Sequence, residues 1–361
     1  MKGLLISAVL ASAALEATPV DVSQVASPVK CAPEGGLRFI CGPKRPEDLV
    51  VLPGDRWLVA SGLADGGGLH LIDTHTKAWR RWIAPANGKA DPLFPDCVAP
   101  PHPDRFHAHG LALGRGVKGG SRLYVVGHGE REAIEVFDVQ TQGPAPTLAW
   151  RGCVRAPDKL EFNAVVAAPD GALLATVMNL PGMTLLDAFQ GKATGAVFEW
   201  RPSDAGFRQM QGTGLPANNG MEISADGETV YVASPADRSV TAFERGKSWR
   251  KRWTVRTPDM IPDNVHWGPN EKLYTAGMTD NEPACGGPLR VIDGKLDLMG
   301  CSRGYRVATI DPKTRAVTIV AKGERTADYL GIATALPAGG SLWIGSFAQN
   351  RLAYRPWPPR P

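Results

Sequence analysis

The sequence predicts an all-β fold, a six-bladed β-propeller whose four-stranded antiparallel blades surround a central channel. Three observations predict it. Glycine and proline number 41 and 31 among 361 residues, without a collagen-like period, and so many backbone punctuators imply many turns and short strands. A hairpin pattern of alternating apolar residues, a Pro/Gly/Asp turn and a second apolar strand recurs six times along the chain. Further apolar strands trail the hairpins, and repeats of roughly 40 to 50 residues built this way mark propeller blades.

The copies run in order from EDLVVLPGDRWLVAS at Glu47 and HGLALGRGVKGGSRLYVVG at His109 to NAVVAAPDGALLATV at Asn163. They continue with NGMEISADGETVYVAS at Asn219, DNVHWGPNEKLYTAG at Asp263 and GIATALPAGGSLWIG at Gly331. Trailing strands read GLHLIDT, AIEVFDV, GAVFEW, SVTAFER and YRVATID. Residues 37–361 are thus expected to form one propeller domain, preceded by an N-terminal segment over 18–36. Before that, Met1-Lys2 and an apolar stretch ending near Leu15 read as a signal peptide over 1–17, cleaved at about 13–17. Nothing later approaches the length of a membrane span. A soluble periplasmic or secreted protein is expected.

Composition narrows the function. Forty Lys plus Arg against 36 Asp plus Glu leave a formal net charge of +4, which argues against a nucleic-acid binder. With 43% hydrophobic and 21% charged residues, the chain has material for a core and is not disordered. The six cysteines, Cys31, Cys41, Cys97, Cys153, Cys285 and Cys301, include no CxxC pair, so disulfides are expected rather than metal thiolates. Sequence does not fix the pairing; 31–41, 97–153 and 285–301 is the arrangement expected.

The residue that opens each copy should lie near one mouth of the channel. In four copies the turn begins six residues after the opener: Glu47 to Pro53, Asn163 to Pro169, Asn219 to Ala225 and Asp263 to Pro269. An equal, even offset puts these openers on one strand face. Two carboxylates, two carboxamides and the adjacent Asn264 make an all-oxygen set suited to a hard cation, calcium before magnesium. The alternative is that Asn and Asp open strands because they favour the preceding turns.

The phrases RPEDLVVLPGDRWLVASGL, FHAHGLAL, LEFNAVVAAPDG, PANNGMEISADGETVYVAS and IPDNVHWGPNEKLYTAG resemble the paraoxonase/arylesterase branch of the SMP-30/gluconolactonase-like six-bladed propellers, from residue 37 to about 357. The resemblance implies a catalytic calcium held by Glu47, Asn163, Asn219, Asp263 and Asn264, and hydrolysis of small-molecule lactones or aryl esters. It also implies a general-base role for His109, backed by His128, with a metal-bound carboxylate such as Asp263 as the other means of activating water. A second, structural calcium in the family matches Asp48 and the Leu111 carbonyl, but its further carboxylate falls on Ala164.

His109 has two readings: general base, or a channel histidine held by backbone hydrogen bonds. His102 and His107 are expected on a solvated loop. The long connection between Met178 and Ala196 carries Leu180, Met183, Leu185, Leu186 and Phe189. It reads either as an apolar wall of the substrate funnel or as a helix packed on the propeller. Gly114 to Gly119 fits GxGxxG but opens no helix, and neither GxSxG nor HExxH occurs. The expected activity is therefore calcium-dependent ester or lactone hydrolysis. Its rivals are a gluconolactonase-type sugar-lactone hydrolase and a non-catalytic binding propeller with structural calcium.

Overall fold

The computed structural model describes residues 31–82, 90–116, 120–202 and 204–358. The signal peptide expected over 1–17 lies outside the described residues, as do residues 18–30 of the N-terminal segment and residues 117–119 of the GxGxxG stretch. Among the described residues, no helix is long and apolar enough to cross a membrane.

Six four-stranded antiparallel sheets form the expected blades. Their innermost strands are Leu49–Val51, Phe106–Arg115, Phe162–Ala167, Met221–Ile223, Met260–Gly268 and Ile332–Ala338. Each touches the innermost strand of the next blade, and the last touches the first, so the ring is closed. The trailing strands identified in the sequence are the third strands of blades 1 to 5.

Blade 6 departs from the simple count of copies. Its chain-terminal strands, Ile332–Ala338, Ser341–Ser346 and Arg351–Pro356, are completed by Arg38–Cys41 from the start of the domain. Arg38 pairs with Tyr354 and Cys41 with Arg351. This outermost strand bridges the two ends of the repeat array. The Cys31–Cys41 disulfide ties the preceding segment to it.

The apolar core lies between blades. One cluster interleaves Val59 and Leu71 of blade 1 with Phe106, Leu123 and Phe137 of blade 2, and equivalent clusters fill the following interfaces. A larger one packs the closing strand residues Phe39 and Ile40 with Tyr329, Trp343 and Leu352. Full burial of each such side chain contributes about 1.5–3 kcal/mol, which holds the blades in fixed relation. The other two disulfides are Cys97–Cys153 and Cys285–Cys301, as expected. The latter encloses a small hairpin, Val291–Ile292 with Lys295–Leu296. Three disulfides are compatible with an oxidising, extracellular or periplasmic setting.

Candidate metal centre and histidine relay

The site is shaped by an irregularity that strict strand alternation does not predict. The inner strands of blades 2, 3 and 5 each carry a register shift, between Ala108 and Leu111, Phe162 and Val165, and Pro262 and Val265. Each bulge encloses a site residue and its neighbour: His109-Gly110, Asn163-Ala164 and Asp263-Asn264. A bulge re-aims side chains and breaks period-two alternation. Of the four openers with equal offsets, Asn163 and Asp263 lie in such bulges, whereas Glu47 and Asn219 lie just before their strands.

Two glycines make the close approach of these strands possible. A Cβ on Gly110 would lie 2.4 Å from the Asn163 carbonyl oxygen and 2.6 Å from the Ala164 Cα. On Gly220 it would lie 2.4 Å from the Asn264 Cα. The residue after an opener is therefore glycine where it abuts the next blade's bulge. The Gly220 N–H donates to the Asp263 carbonyl at 3.2 Å. Local hydrogen bonds fix the rest: Thr176 Oγ1 accepts from the Ala164 N–H and donates to the Asn219 carbonyl. The consecutive asparagines divide their work. Asn218 closes its own turn through Leu215 and Thr213, whereas Asn219 faces the channel mouth.

The expected ligands converge. Asn264 Nδ2 donates to Glu47 Oε1 at 2.6 Å across the ring, and Asn163 Nδ2 lies 3.5 Å from His109 Nε2. Asn219 hydrogen-bonds Asp263, and its Nδ2 also approaches Met178 Sδ at 3.8 Å. Three buried oxygens of this group, Glu47 Oε2, Asn163 Oδ1 and Asn219 Oδ1, have no hydrogen-bond partner. Leaving one such atom unpaired costs about 1–3 kcal/mol. Three together at one point form an oxygen cradle that a hard cation would satisfy.

Electrostatics agree. Burial, then repulsion from Asp263 and Asp48, pushes the Glu47 carboxyl well above the usual carboxylate range. Burial also raises the Asp263 carboxyl to about 7, against the Asn219 hydrogen bond and with Asp48 adding repulsion. A divalent cation would reverse both trends by neutralising the like charges. Glu47, Asn163, Asn219, Asp263 and Asn264 thus fit a calcium ion on donor type, burial and unmet demand.

Beside the cradle stands a relay. His109 Nδ1 lies 3.0 Å from His128 Nε2, and His128 Nδ1 lies 2.6 Å from Glu132 Oε2. An ionised Glu132 only accepts, so it sets His128 as the Nδ1–H tautomer. His128 Nε2 then accepts from His109 Nδ1–H, and the lone pair of His109 Nε2 is left facing the cradle, 3.7 Å from Glu47 Oε2. Burial, then His128, keeps the His109 imidazole well below its ordinary pKa and hence neutral. These contacts are to side chains, so His109 is not a channel histidine spent on backbone hydrogen bonds.

Glu132 was not singled out from sequence; it sits in a short turn before Ala133–Gln140, where a glutamate is ordinary. His107 corrects an expectation: it belongs to strand Phe106–Arg115 and pairs with Asp65 Oδ1 at 2.7 Å, while exposed His102 does lie on a loop. The 178–196 connection contains a short helix, Leu185–Phe189, capped by Thr184 with a reciprocal Asp187 bond. Met178, Leu185 and Phe189 pack against Ala188, Ala217 and Ala236, whereas Met183 is exposed. The helix also touches the Lys295–Leu296 strand of the disulfide-pinned hairpin.

Asp48 behaves differently from the cradle. Its Oδ1 accepts from the Leu49 N–H and lies 2.6 Å from His266 Nε2, and its Oδ2 accepts from the Leu111 N–H. The other ring nitrogen of His266 faces Glu222 Oε1 at 3.4 Å. Burial, which lowers the His266 pKa, is outweighed by Asp48 and Glu222, and the net result is a rise to about 10.

Comparisons with known proteins follow the fold. The SMP-30/gluconolactonase/LRE-like region model matches residues 112–285, a span that holds Asn163, Asn219, Asp263, Asn264 and His128 but not Glu47 or His109. No curated protein matches the sequence. Among solved structures, a luciferin-regenerating enzyme superposes with a TM-score of 0.52 at 12% identity, covering 90% of this chain and 96% of that one. A protein described as a gluconolactonase candidate gives 0.51 at 12%, covering 90% and 93%. A protein of unknown function from Bacteroides thetaiotaomicron gives 0.51 at 12%, covering 88% and 75%. At such identities these likenesses speak for the fold, a six-bladed propeller, and over residues 112–285 the chain is similar to the SMP-30/gluconolactonase/LRE-like family.

Proposed function

We propose that the protein is a calcium-dependent hydrolase of lactones or aryl esters, of the paraoxonase/arylesterase-like kind, exported behind a cleaved signal peptide. The family match supports a lactonase-type propeller acting on a small molecule. The observation that carries the finer reading is the conjunction, at one channel mouth, of three unpaired buried oxygens with a histidine whose Nε2 lone pair faces them. A non-catalytic calcium site has no need of such a histidine.

Calcium bound in the cradle supplies Lewis-acid polarisation of the substrate carbonyl. The protein's own groups do the rest. His109 Nε2 accepts a proton from the attacking water; the buried ring is neutral, so its lone pair is available for that proton. His128 and Glu132 hold its tautomer and stabilise the positive charge that develops on it. Asp263, buried beside the cradle, is the second group able to take that proton. Ligands on separate blades are held rigid by the apolar packing between blades, so little reorganisation accompanies reaction. Exposed Met183 and the neighbouring helix favour an apolar substrate over a free sugar.

Activity against phenyl acetate, a long-chain lactone and gluconolactone, each with calcium and with chelator, tests the reading. Chelator-sensitive turnover of the first two supports it. Turnover of gluconolactone alone favours the sugar-lactone hydrolase, and full activity in chelator would refute the calcium role.

A further inference from the structure

The relatives this chain resembles imply a second ion in the channel, and the inner layer does not fit one. That layer lies one to three residues further along the chain in each blade than the cradle. It comprises Asp48 of blade 1, the Leu111 N–H of blade 2, Glu222 of blade 4 and His266 of blade 5. Every carboxylate oxygen in it has a partner. Asp48 Oδ1 takes the Leu49 N–H and His266 Nε2, and Asp48 Oδ2 takes the Leu111 N–H. Glu222 Oε1 takes His266 Nδ1 and the Trp267 N–H, and Glu222 Oε2 takes the Ile223 N–H. Ala164, where a further carboxylate would be needed, offers only a methyl group and is buried.

We propose that the His266 ring occupies the place of a second cation, donating from both nitrogens to carboxylates on two blades, so that the channel takes a single divalent ion. The proposal rests on the cradle binding calcium. Its geometry is that of a cross-tie: the ring joins blades 1, 4 and 5, and Asp48 extends the tie to blade 2. A metal ion there would have to displace the imidazole and compete with four backbone N–H donors. The mouth layer, by contrast, leaves three oxygens without any donor.

The test counts ions. Protein equilibrated with excess calcium and freed of unbound ion is analysed for calcium per chain by atomic emission, alongside His266→Gln and the double variant Asp48→Asn/His266→Gln, and all are melted in chelator. One calcium is expected in the native protein. Removing the ring exposes Asp48 and Glu222 to a second, weaker ion, so H266Q should titrate with two calcium ions by calorimetry. In chelator H266Q should melt well below the native protein, and the double variant, lacking the stranded charge, should melt above H266Q and bind one ion. A native count of two overturns this proposal alone. A native count of zero overturns it together with the calcium reading. A folded H266Q that still titrates with one ion, or a double variant no more stable than H266Q, also overturns it.

Discussion

Two layers of the same channel, contributed by the same blades and separated by one to three residues, handle buried charge in opposite ways. In the mouth layer, Glu47 and Asp263 repel each other and three oxygens lack donors. In the inner layer, Asp48 and Glu222 are bridged by His266 and backbone N–H groups. A fully paired polar cluster ties blades together, whereas an unpaired one costs stability and is retained where a ligand relieves the cost. The difference is what the proposed function requires: unmet demand at the mouth, where the ion would sit, and a paired brace beneath it.

The contrast is broken most completely by Glu47→Gln. It should remove ion binding at the mouth and lower hydrolysis by roughly 10³-fold, while the ion-free melting temperature holds or rises because a buried charge is lost; unchanged calcium affinity by calorimetry would contradict the site. His109→Gln should cost roughly 10²-fold in kcat and leave calcium affinity within a few-fold, a separation read by pairing kinetics with calorimetry. A smaller loss, roughly tenfold, is expected for Glu132→Gln, together with an altered pH–rate profile; a purely structural Glu132 would leave the profile in place.

The layers should also separate by pH. In chelator, the Asp263 carboxyl, raised from 3.8 to about 7, binds its proton more tightly folded than unfolded, so stability should fall as pH rises between those values. Added calcium should abolish that fall. The His266 ring, raised from 6.5 to about 10, contributes stability that is complete below 6.5 and lost as pH rises toward 10, and in H266Q that decline should be absent. Melting curves across pH, with and without calcium, would collapse the distinction if both windows responded alike. Gly220→Ala, whose Cβ would press on the Asn264 Cα, should cost about 1–3 kcal/mol, visible as a lower melting temperature and weaker calcium binding.

Much of the mouth layer was legible in sequence. Turn residues punctuate each repeat, and the openers share one offset from those turns, so Glu47, Asn163, Asn219 and Asp263 could be aligned without coordinates. The bulges were not legible, since two residues opposing one leave no mark in an apolar run. His266 was missed because, between Val265 and Trp267, it reads as an ordinary strand position; its meaning depends on Asp48 and Glu222, which only the ring closure brings near. Glu132 escaped for the same reason. The closing strand, RFIC at 38–41, is too short to show alternation, and its partner lies more than 300 positions away in the chain.

That strand makes the site's existence conditional on the whole polypeptide. Glu47 follows the closing strand directly, and its hydrogen-bonded neighbour Asn264 sits on blade 5, so blade 6 separates them around the ring. Blade 6 is complete only when residues 38–41 have met residues 351–354, among the most non-local pairings the chain can make and therefore a slow step in folding. Up to that moment blade 1 and the three-stranded blade 6 are the free ends of an arc and the cradle is an open jaw. Calcium uptake during refolding would then be a clock that starts only when the circle shuts.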